Sequence, residues 1–180
     1  MNRKILLIFI FLCSGSISAS DLTVKGLAKV YNTPASAIKW VQESLEYKTD
    51  QEVHNRAEYW QTSEETLKLM TVDCEDSAVL ISDILKEFGI ESVILCMYER
   101  VKRELVGHAI CVYGYNDKLY IADNNLHFEL NKGCTIADIC KAFIKEWTLY
   151  RIYKTKYIRK GRNKAIRSGW RWKKKKEYIF

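Results

Sequence analysis

Hydrophobic positions in the first third of the chain recur at the spacing of amphipathic helices. In the stretch TPASAIKWVQESLEY (33–47), Ile38, Val41 and Leu45 fall on one helical face. Thr33 followed by proline is typical of a capped helix start, so the stretch is predicted to be a helix.

Two further helices are predicted downstream. The stretch TSEETLKLM (62–70) opens with Thr62 and Glu65 in capping-box order. A longer helix is predicted over residues 74–88, where apolar residues share one face and Gly89 provides a stop signal.

The hydrophobic period changes from helical to alternating after residue 90. Three runs of β-branched and aromatic residues are predicted strands: SVILCMY (92–98), HAICVYGY (108–115) and KLYIAD (118–123). Asn116 and Asp117 predict a tight hairpin between the last two, residues 135–147 return to a helical pattern, and residues 148–158 alternate like an exposed strand. Helices followed by an antiparallel sheet predict an α+β fold, with N-terminal helices packed on the sheet.

The chain has 180 residues, which suits one compact domain. Residues 1–20 combine a basic start, an apolar run and a small-residue exit, the pattern of a cleavable secretory signal peptide. An uncleaved anchor is the alternative, and both place the domain (21–158) outside the cytoplasm, secreted or periplasmic.

The positive charge of the chain is concentrated at its C-terminal end. Residues 151–180 hold 13 Lys and Arg and a single acid, against a net charge of +7 for the whole chain. The aromatic basic tail (159–180) is either a solvated extension or a surface that docks on anionic membrane lipid or a cell-surface polymer, with Trp170 and Trp172 as anchors. A secreted protein rarely meets nucleic acid as its target, so nucleic acid is not an expected partner.

Cysteine usage leaves at least one free thiol. Removal of the leader leaves five of the six cysteines, and an odd number cannot all be paired within one monomer. Two pairings are open from the sequence: Cys96 with Cys111, and Cys134 with Cys140.

Three residues at the ends of predicted elements form a candidate catalytic set. Cys74 begins a helix, His108 begins a strand and Asp123 ends the next strand. Each has an ordinary structural explanation, as a packed small residue, a strand histidine and a turn aspartate. Adjacent antiparallel strands can bring His108 beside Asp123, however, and a helix N-terminus favours a thiolate. Their order therefore favours a Cys-His-Asp triad.

The acids around the cysteine oppose this chemistry. Asp73, Glu75 and Asp76 raise the pKa of a neighbouring thiol, unless they point away or are neutralised. A carboxylate-rich loop suits Ca²⁺, which is therefore an expected structural or regulatory ion, and no organic cofactor is expected.

Separate sequence boxes resemble one known family. The boxes, in chain order, are Trp60, Glu64 with Leu67, Asp73-Cys74-Glu75-Asp76, Gly107-His108-Ala109 and Asp123-Asn124. Over about residues 56–130 the chain is similar to the bacterial transglutaminase-like cysteine proteinases, which are secreted or periplasmic enzymes with a papain-like transglutaminase core.

The resemblance implies a role for each matched residue. Cys74 corresponds to the nucleophile, His108 to the general acid/base and Asp123 to the residue that orients the histidine. In calcium-dependent members, which release surface adhesins by proteolysis, the acids flanking the cysteine help to bind the ion, which implies Asp73 and Glu75 here.

Two positions depart from the family pattern, and the oxyanion hole is only partly visible. Val72 stands where the family usually has glycine, and Ala122 where it has leucine. The Cys74 backbone N–H is the natural oxyanion donor, and a side chain near Trp60 and Gln61 is the candidate for the second.

The predicted function is a thiol hydrolase that cleaves peptide or isopeptide bonds in a protein or peptide substrate through a thioester acyl-enzyme. A transglutaminase-type acyl transferase would use the same triad. The same sequence is also compatible with a non-catalytic module that binds surfaces or lipid through the basic tail, or with an interaction protein whose cysteines are all bridged.

Overall fold

The computed structural model describes residues 22–159, 162–163 and 165–170. The helices are α1 (Val24–Tyr31), α2 (Pro34–Ser44), α3 (Asp50–His54), α4 (Ser63–Leu69), α5 (Cys74–Glu87) and α6 (Ile136–Phe143). The strands are β1 (Glu46–Tyr47), β2 (Thr71–Val72), β3 (Ser92–Val101), β4 (Glu104–Tyr115), β5 (Lys118–Ala122), β6 (His127–Glu129), β7 (Leu149–Tyr153), β8 (Ile158–Arg159), β9 (Arg162–Asn163) and β10 (Arg167–Trp170).

One six-stranded antiparallel sheet carries the fold, in the order β10-β7-β3-β4-β5-β6. Helices α1, α2 and α5 cover one face, and α6 covers the other. The sheet is therefore buried on both faces, and the predicted α+β fold of helices on an antiparallel sheet is confirmed.

Helix α5 lies at the centre of the molecule. Its apolar side chains Ala78, Ile81, Ile84 and Leu85 are buried against β3 and β4. Gly89 ends the helix with a φ of 73°, the left-handed conformation that glycine adopts most readily. This packing places the N-terminus of α5, and so Cys74, at one edge of the sheet.

Local capping signals located the helix starts correctly. The Thr62–Glu65 capping box is present at α4, and Thr33 accepts a hydrogen bond from the Ser36 amide at α2. The predicted hairpin turn is also present, because Asn116 and Asp117 both have positive φ angles.

The last predicted helix and the last predicted strand both end earlier than expected, and the strand is buried where exposure was predicted. The helix predicted over 135–147 ends at Phe143, after which the chain turns to bury Trp147 under the sheet. The strand predicted over 148–158 ends at Tyr153, and its predicted exposure is wrong. Strand β7 lies between β10 and β3, and because helices cover both faces, Tyr150 and Tyr153 are buried on opposite sides.

The β3–β4 hairpin projects beyond its neighbours. Pairing of β3 with β7 stops at Tyr98, and pairing of β4 with β5 begins only at Cys111. Within the described ranges, the end of β3 from Glu99 therefore pairs as a strand only with β4, and β4 before Cys111 pairs only with β3.

The predicted leader (1–20) lies outside the described residues. Part of the predicted basic tail is described, and Arg167–Trp170 forms edge strand β10 on β7. Trp172 and the lysines after it lie outside the described residues. Among the described helices, none is long and apolar enough to cross a lipid bilayer.

All five cysteines in the described part of the chain are free thiols. Cys96 and Cys111 lie on neighbouring strands, but they face Ala109 and Ile94 rather than each other. Neither of the two disulfides considered from the sequence is formed.

Candidate active site

Cys74 is the first residue of α5, beside the edge of β4. Asp73 caps the helix, since its carboxylate accepts a hydrogen bond from the Asp76 amide at 3.2 Å. The Ala109 backbone N–H donates to the Cys74 sulfur. This contact lies just beyond the first β4–β5 pair, Cys111 with Ala122, where β5 leaves the edge of β4 open.

His108 and Asp123 are in direct contact. His108 Nε2 lies 3.0 Å from Asp123 Oδ2. The other carboxylate oxygen, Oδ1, accepts from the amides of Asn125 at 2.7 Å and Leu126 at 2.6 Å. From α2, the Gln42 side-chain amide donates to the Asp123 carbonyl at 2.9 Å. The aspartate is therefore held by its own turn and by a helix while it faces the histidine.

The Asp123 carboxyl is ionised at neutral pH. Its burial would raise its pKa, but the hydrogen bonds from His108, Asn125 and Leu126 outweigh burial and hold the pKa below its ordinary value. An ionised carboxylate only accepts hydrogen bonds, so His108 Nε2 carries the proton and Nδ1 remains available for proton exchange.

The electrostatics around Cys74 favour the neutral thiol. Burial, the Glu75 carboxylate and Asp73 raise its pKa, whereas the Ala109 N–H lowers it. The thiol donates to Glu75 Oε2 at 3.0 Å. Of the three acids named from the sequence, Asp73 and Glu75 thus act on the cysteine, and they oppose formation of the thiolate.

Asp73 and Glu75 form a buried acidic cluster with Asp50, the first residue of α3. Carboxylate oxygens of the three residues all lie within 4.8 Å of one another. The Tyr59 amide donates to Asp50 Oδ2, while Asp50 Oδ1 is buried without a hydrogen-bond partner among the described residues. Burial raises the pKa of all three carboxyls. Asp50 raises the pKa of Asp73 further, and Asp73 raises that of Glu75, whereas the acid that acts on Asp50 is Glu58.

Trp60 and Gln61 are buried beneath this region. The Trp60 indole N–H donates to Glu58 Oε1 at 2.8 Å, and its ring packs against Tyr153. The Gln61 backbone N–H donates to Asp76 Oδ1 at 2.7 Å. Gln61 Oε1 is buried without a partner among the described residues. An oxyanion role for either residue stays a prediction.

Two clefts flank His108, whose ring stacks on Phe143 with centroids 5.6 Å apart. The first, which we call the loop cleft, has a volume of about 490 Å³. Its lining residues are Tyr47, His108, Asp123, Asn124, Asn125, Leu126 and Phe143. The second, the hairpin cleft, has a volume of about 390 Å³. It is lined by Glu99, Val101, Val106, Gly107, His108, Phe143, Ile144, Lys145 and Glu146.

Sequence reasoning missed Gln42, Tyr47, Asp50 and Phe143. Asp50 follows Thr49, which forms a capping box with Glu52, so a short helix start is visible in the sequence, but the approach of Asp50 to Cys74 is not. The sequence around Gln42, Tyr47 and Phe143 contains no motif that points to the site, because only folding of the chain brings these residues to it.

A family model described as a transglutaminase-like domain matches residues 20–162. The chain belongs to this family. The resemblance drawn from the sequence is confirmed at this level, and the match covers all three candidate catalytic residues.

Solved structures similar to this transglutaminase-like domain include two of Legionella pneumophila LapG. EGTA-treated LapG is 15% identical, with a TM-score of 0.48 over 73% of this chain and 72% of that chain. A second LapG structure is 16% identical, with a TM-score of 0.39 over 62% of each chain.

A candidate cysteine protease from Cytophaga hutchinsonii is also similar. It is 12% identical, with a TM-score of 0.46 over 92% of this chain and 56% of that chain. The present domain thus spans less than two thirds of the chain in two of these three structures. None of the curated proteins matches it in sequence.

Proposed function

We propose that the protein is a thiol hydrolase, a cysteine peptidase that cleaves peptide or isopeptide bonds in protein substrates. One juxtaposition supports this proposal most strongly. Cys74 lies at a helix N-terminus against the His108–Ala109 peptide of β4, and His108 is held by Asp123. Acyl transfer requires a nucleophile, a base and a residue that orients the base, and Cys74, His108 and Asp123 supply these groups from neighbouring elements.

The proposed reaction has two halves. Cys74 transfers its thiol proton to His108 Nδ1, and the resulting thiolate attacks the substrate carbonyl carbon. The Cys74 backbone N–H, with a second donor, stabilises the oxyanion. His108 Nδ1 gives its proton to the leaving amine as the C–N bond breaks, which leaves a thioester. His108 then takes a proton from water as the water attacks the thioester, and the acid product and the thiol are released. An amine in place of water would give the transferase outcome.

Asp123 keeps His108 in the productive tautomer throughout. Its ionised carboxylate accepts from Nε2 and so holds the proton on that nitrogen. The stacked Phe143 ring restricts the rotation of the imidazole.

The acidic cluster is a fitting site for a divalent cation. Its ligands would be Asp50, Asp73 and Glu75, which are hard oxygen donors of the kind that Ca²⁺ prefers. The orphaned Asp50 Oδ1 and the raised pKa of Asp73 beside Asp50, and of Glu75 beside Asp73, support this assignment. A bound cation would supply the positive charge that cancels the field of these acids at Cys74.

We further propose that the enzyme works outside the cytoplasm and docks on a negatively charged surface. The leader pattern supports a secreted or periplasmic enzyme, and the basic residues of the tail support docking to an anionic membrane or cell-surface polymer.

The test is the reactivity of Cys74 in the purified protein. We expect iodoacetamide to label Cys74, a His108→Ala variant to slow that labelling, and Cys74→Ala to abolish cleavage of an unfolded protein substrate. Cys134→Ala, which removes another half-buried thiol, should cleave normally. Cleavage that persists in Cys74→Ala would refute the proposal, and a product that carries an added amine would indicate the transferase.

A further inference from the structure

The edge of β4 that leads away from Cys74 is open. Residues Glu104–Gly107 are all exposed, and within the described ranges no strand pairs with β4 on its β5 side before Cys111. An unpaired strand edge presents backbone donors and acceptors to any extended chain that approaches it.

Hydrogen bonds on the far side of the hairpin show which backbone groups face this edge. The Tyr98 carbonyl accepts from the Thr148 amide at 2.6 Å, and the Arg100 amide donates to Thr148 Oγ1 at 3.2 Å. The backbone groups of Tyr98 and Arg100 therefore point away from β4. In an antiparallel ladder, opposite residues exchange both hydrogen bonds or neither.

The register then assigns the open groups on β4. Tyr98 is opposite Gly107 and Arg100 is opposite Leu105, so the N–H and C=O groups of Leu105 and Gly107 point outward. The next residue in this alternation is Ala109, whose N–H donates to the Cys74 sulfur. The outward-facing backbone groups of Leu105 and Gly107 and the Cys74 sulfur thus lie along the same edge of β4.

Two clefts and exposed apolar side chains lie beside this edge of β4. The loop cleft opens where β5 leaves β4, and the hairpin cleft lies between the hairpin and the end of α6. Val101 and Val106 are 46% and 54% exposed and line the hairpin cleft. Exposed apolar residues beside a reactive group are typical of a surface that contacts a ligand.

We propose that the substrate of this enzyme is an extended, unfolded polypeptide segment whose main chain adds as a strand to the open edge of β4. The N–H and C=O groups of Leu105 and Gly107 pair with it and align its carbonyl with Cys74. Side chains alternate along a strand, so one of them enters the hairpin cleft, where the walls favour an apolar residue. This inference rests on the proposed function and selects a linear peptide over a branched isopeptide.

The first experiment removes one open amide without touching the hairpin ladder. Leu105→Pro deletes an N–H that points outward, and proline is tolerated at the edge of a sheet. Leu105→Ala keeps the amide and controls for loss of the side chain. Reduced and carboxymethylated lysozyme is the unfolded substrate, and we expect kcat/KM to be about tenfold lower for Leu105→Pro than for Leu105→Ala.

Two measurements show that the proline variant remains intact. Thermal unfolding of the two variants should agree, and iodoacetamide should label Cys74 at equal rates, because this small reagent does not need the strand edge. Equal cleavage of the unfolded chain by both variants would overturn the inference.

The second experiment observes the open amides directly. In the Cys74→Ala protein, the unfolded chain should slow hydrogen exchange of the Leu105 and Gly107 amides. The Val106 amide, which already faces β3, is the internal control. Unchanged exchange at Leu105 and Gly107 would overturn the inference, because main-chain pairing does not depend on substrate sequence.

The two proposals fail in different ways. Protection of the amides without cleavage by the unsubstituted protein would contradict the proposed hydrolase and leave a polypeptide-binding edge. Cleavage of a branched isopeptide but not of the unfolded chain would support the hydrolase and overturn the strand addition.

Discussion

At the residue scale, Asp123 makes both of the contacts that the sequence presents as alternatives, one within its own turn and one with a histidine. Turn chemistry and orientation of a histidine were competing explanations for it. In the structure, Oδ1 accepts from the turn amides and Oδ2 faces His108 Nε2. The two roles are compatible because a carboxylate has two oxygens that can face different partners.

The Asp123→Asn variant tests the orienting role. An amide oxygen can still accept from the Asn125 and Leu126 amides, so the turn should remain. The amide NH₂ would then face His108 Nε2 and favour the wrong tautomer, and we expect kcat to fall by roughly 100-fold or more. Steady-state cleavage of an unfolded protein measures this, and a variant with normal kcat would contradict the assigned role.

The same substitution tests the ionisation of Asp123. The pKa of the folded carboxyl lies below its ordinary value, so its contribution to stability is complete above about pH 4 and is lost as the pH falls through the folded pKa. The difference in unfolding free energy between the unsubstituted protein and Asp123→Asn should therefore narrow as the pH falls below about 4. Urea unfolding at a series of pH values measures it, and a difference that widens on acidification would refute the assignment.

At the element scale, β4 combines structure and chemistry along a single strand. One end pairs with β5, and the other carries His108 on a hairpin that projects from the sheet. Sequence analysis predicted the strand only from residue 108, because the polar and charged residues of the hairpin mask its alternation. The helix starts were predicted more accurately, because a cap is a local signal within four residues.

Gly107 packs against the Tyr98 ring and leaves no room there for a side chain. A Cβ there would lie 2.7 Å from the Tyr98 ring, so we expect Gly107→Ala to lower the unfolding free energy by about 1–3 kcal/mol. The movement should also reduce cleavage, since the next residue is His108. Gly114→Ala on the same strand is the matched control, because its Cβ would meet nothing closer than 3.9 Å. Denaturant unfolding compares the two, and equal losses would contradict the steric explanation.

At the scale of the whole molecule, the acidic cluster depends on segments that are distant in sequence. Asp73 and Glu75 flank the cysteine, whereas Asp50 comes from a separate short helix. Parallel pairing of β1 with β2 brings the start of α3 towards the start of α5. The third carboxylate therefore could not be assigned before the chain was folded.

Calcium should stabilise the protein through all three acids. Binding raises the unfolding free energy by about 2.7 kcal/mol when free Ca²⁺ is 100 times its Kd, so Tm should rise. Asp50→Asn should weaken this rise, because it removes one charged ligand. The exposed Glu43→Gln is the control and should respond like the unsubstituted protein. Thermal unfolding with calcium and with EGTA measures the effect, and an undiminished response in Asp50→Asn would rule out its role as a ligand.

The sequence by itself determined the starts of α2, α4, α5 and α6, the antiparallel sheet and the order of the candidate catalytic residues, because caps, periodicity and motif spacing are local properties of the chain. It also indicated that acids beside Cys74 would oppose the thiolate. Only the tertiary structure decided that β7 is buried, that Asp50 joins the acidic cluster and that Phe143 stacks on His108. These features depend on which segments pack together, and that is set by burial of apolar surface across the whole sheet rather than by any single stretch of residues.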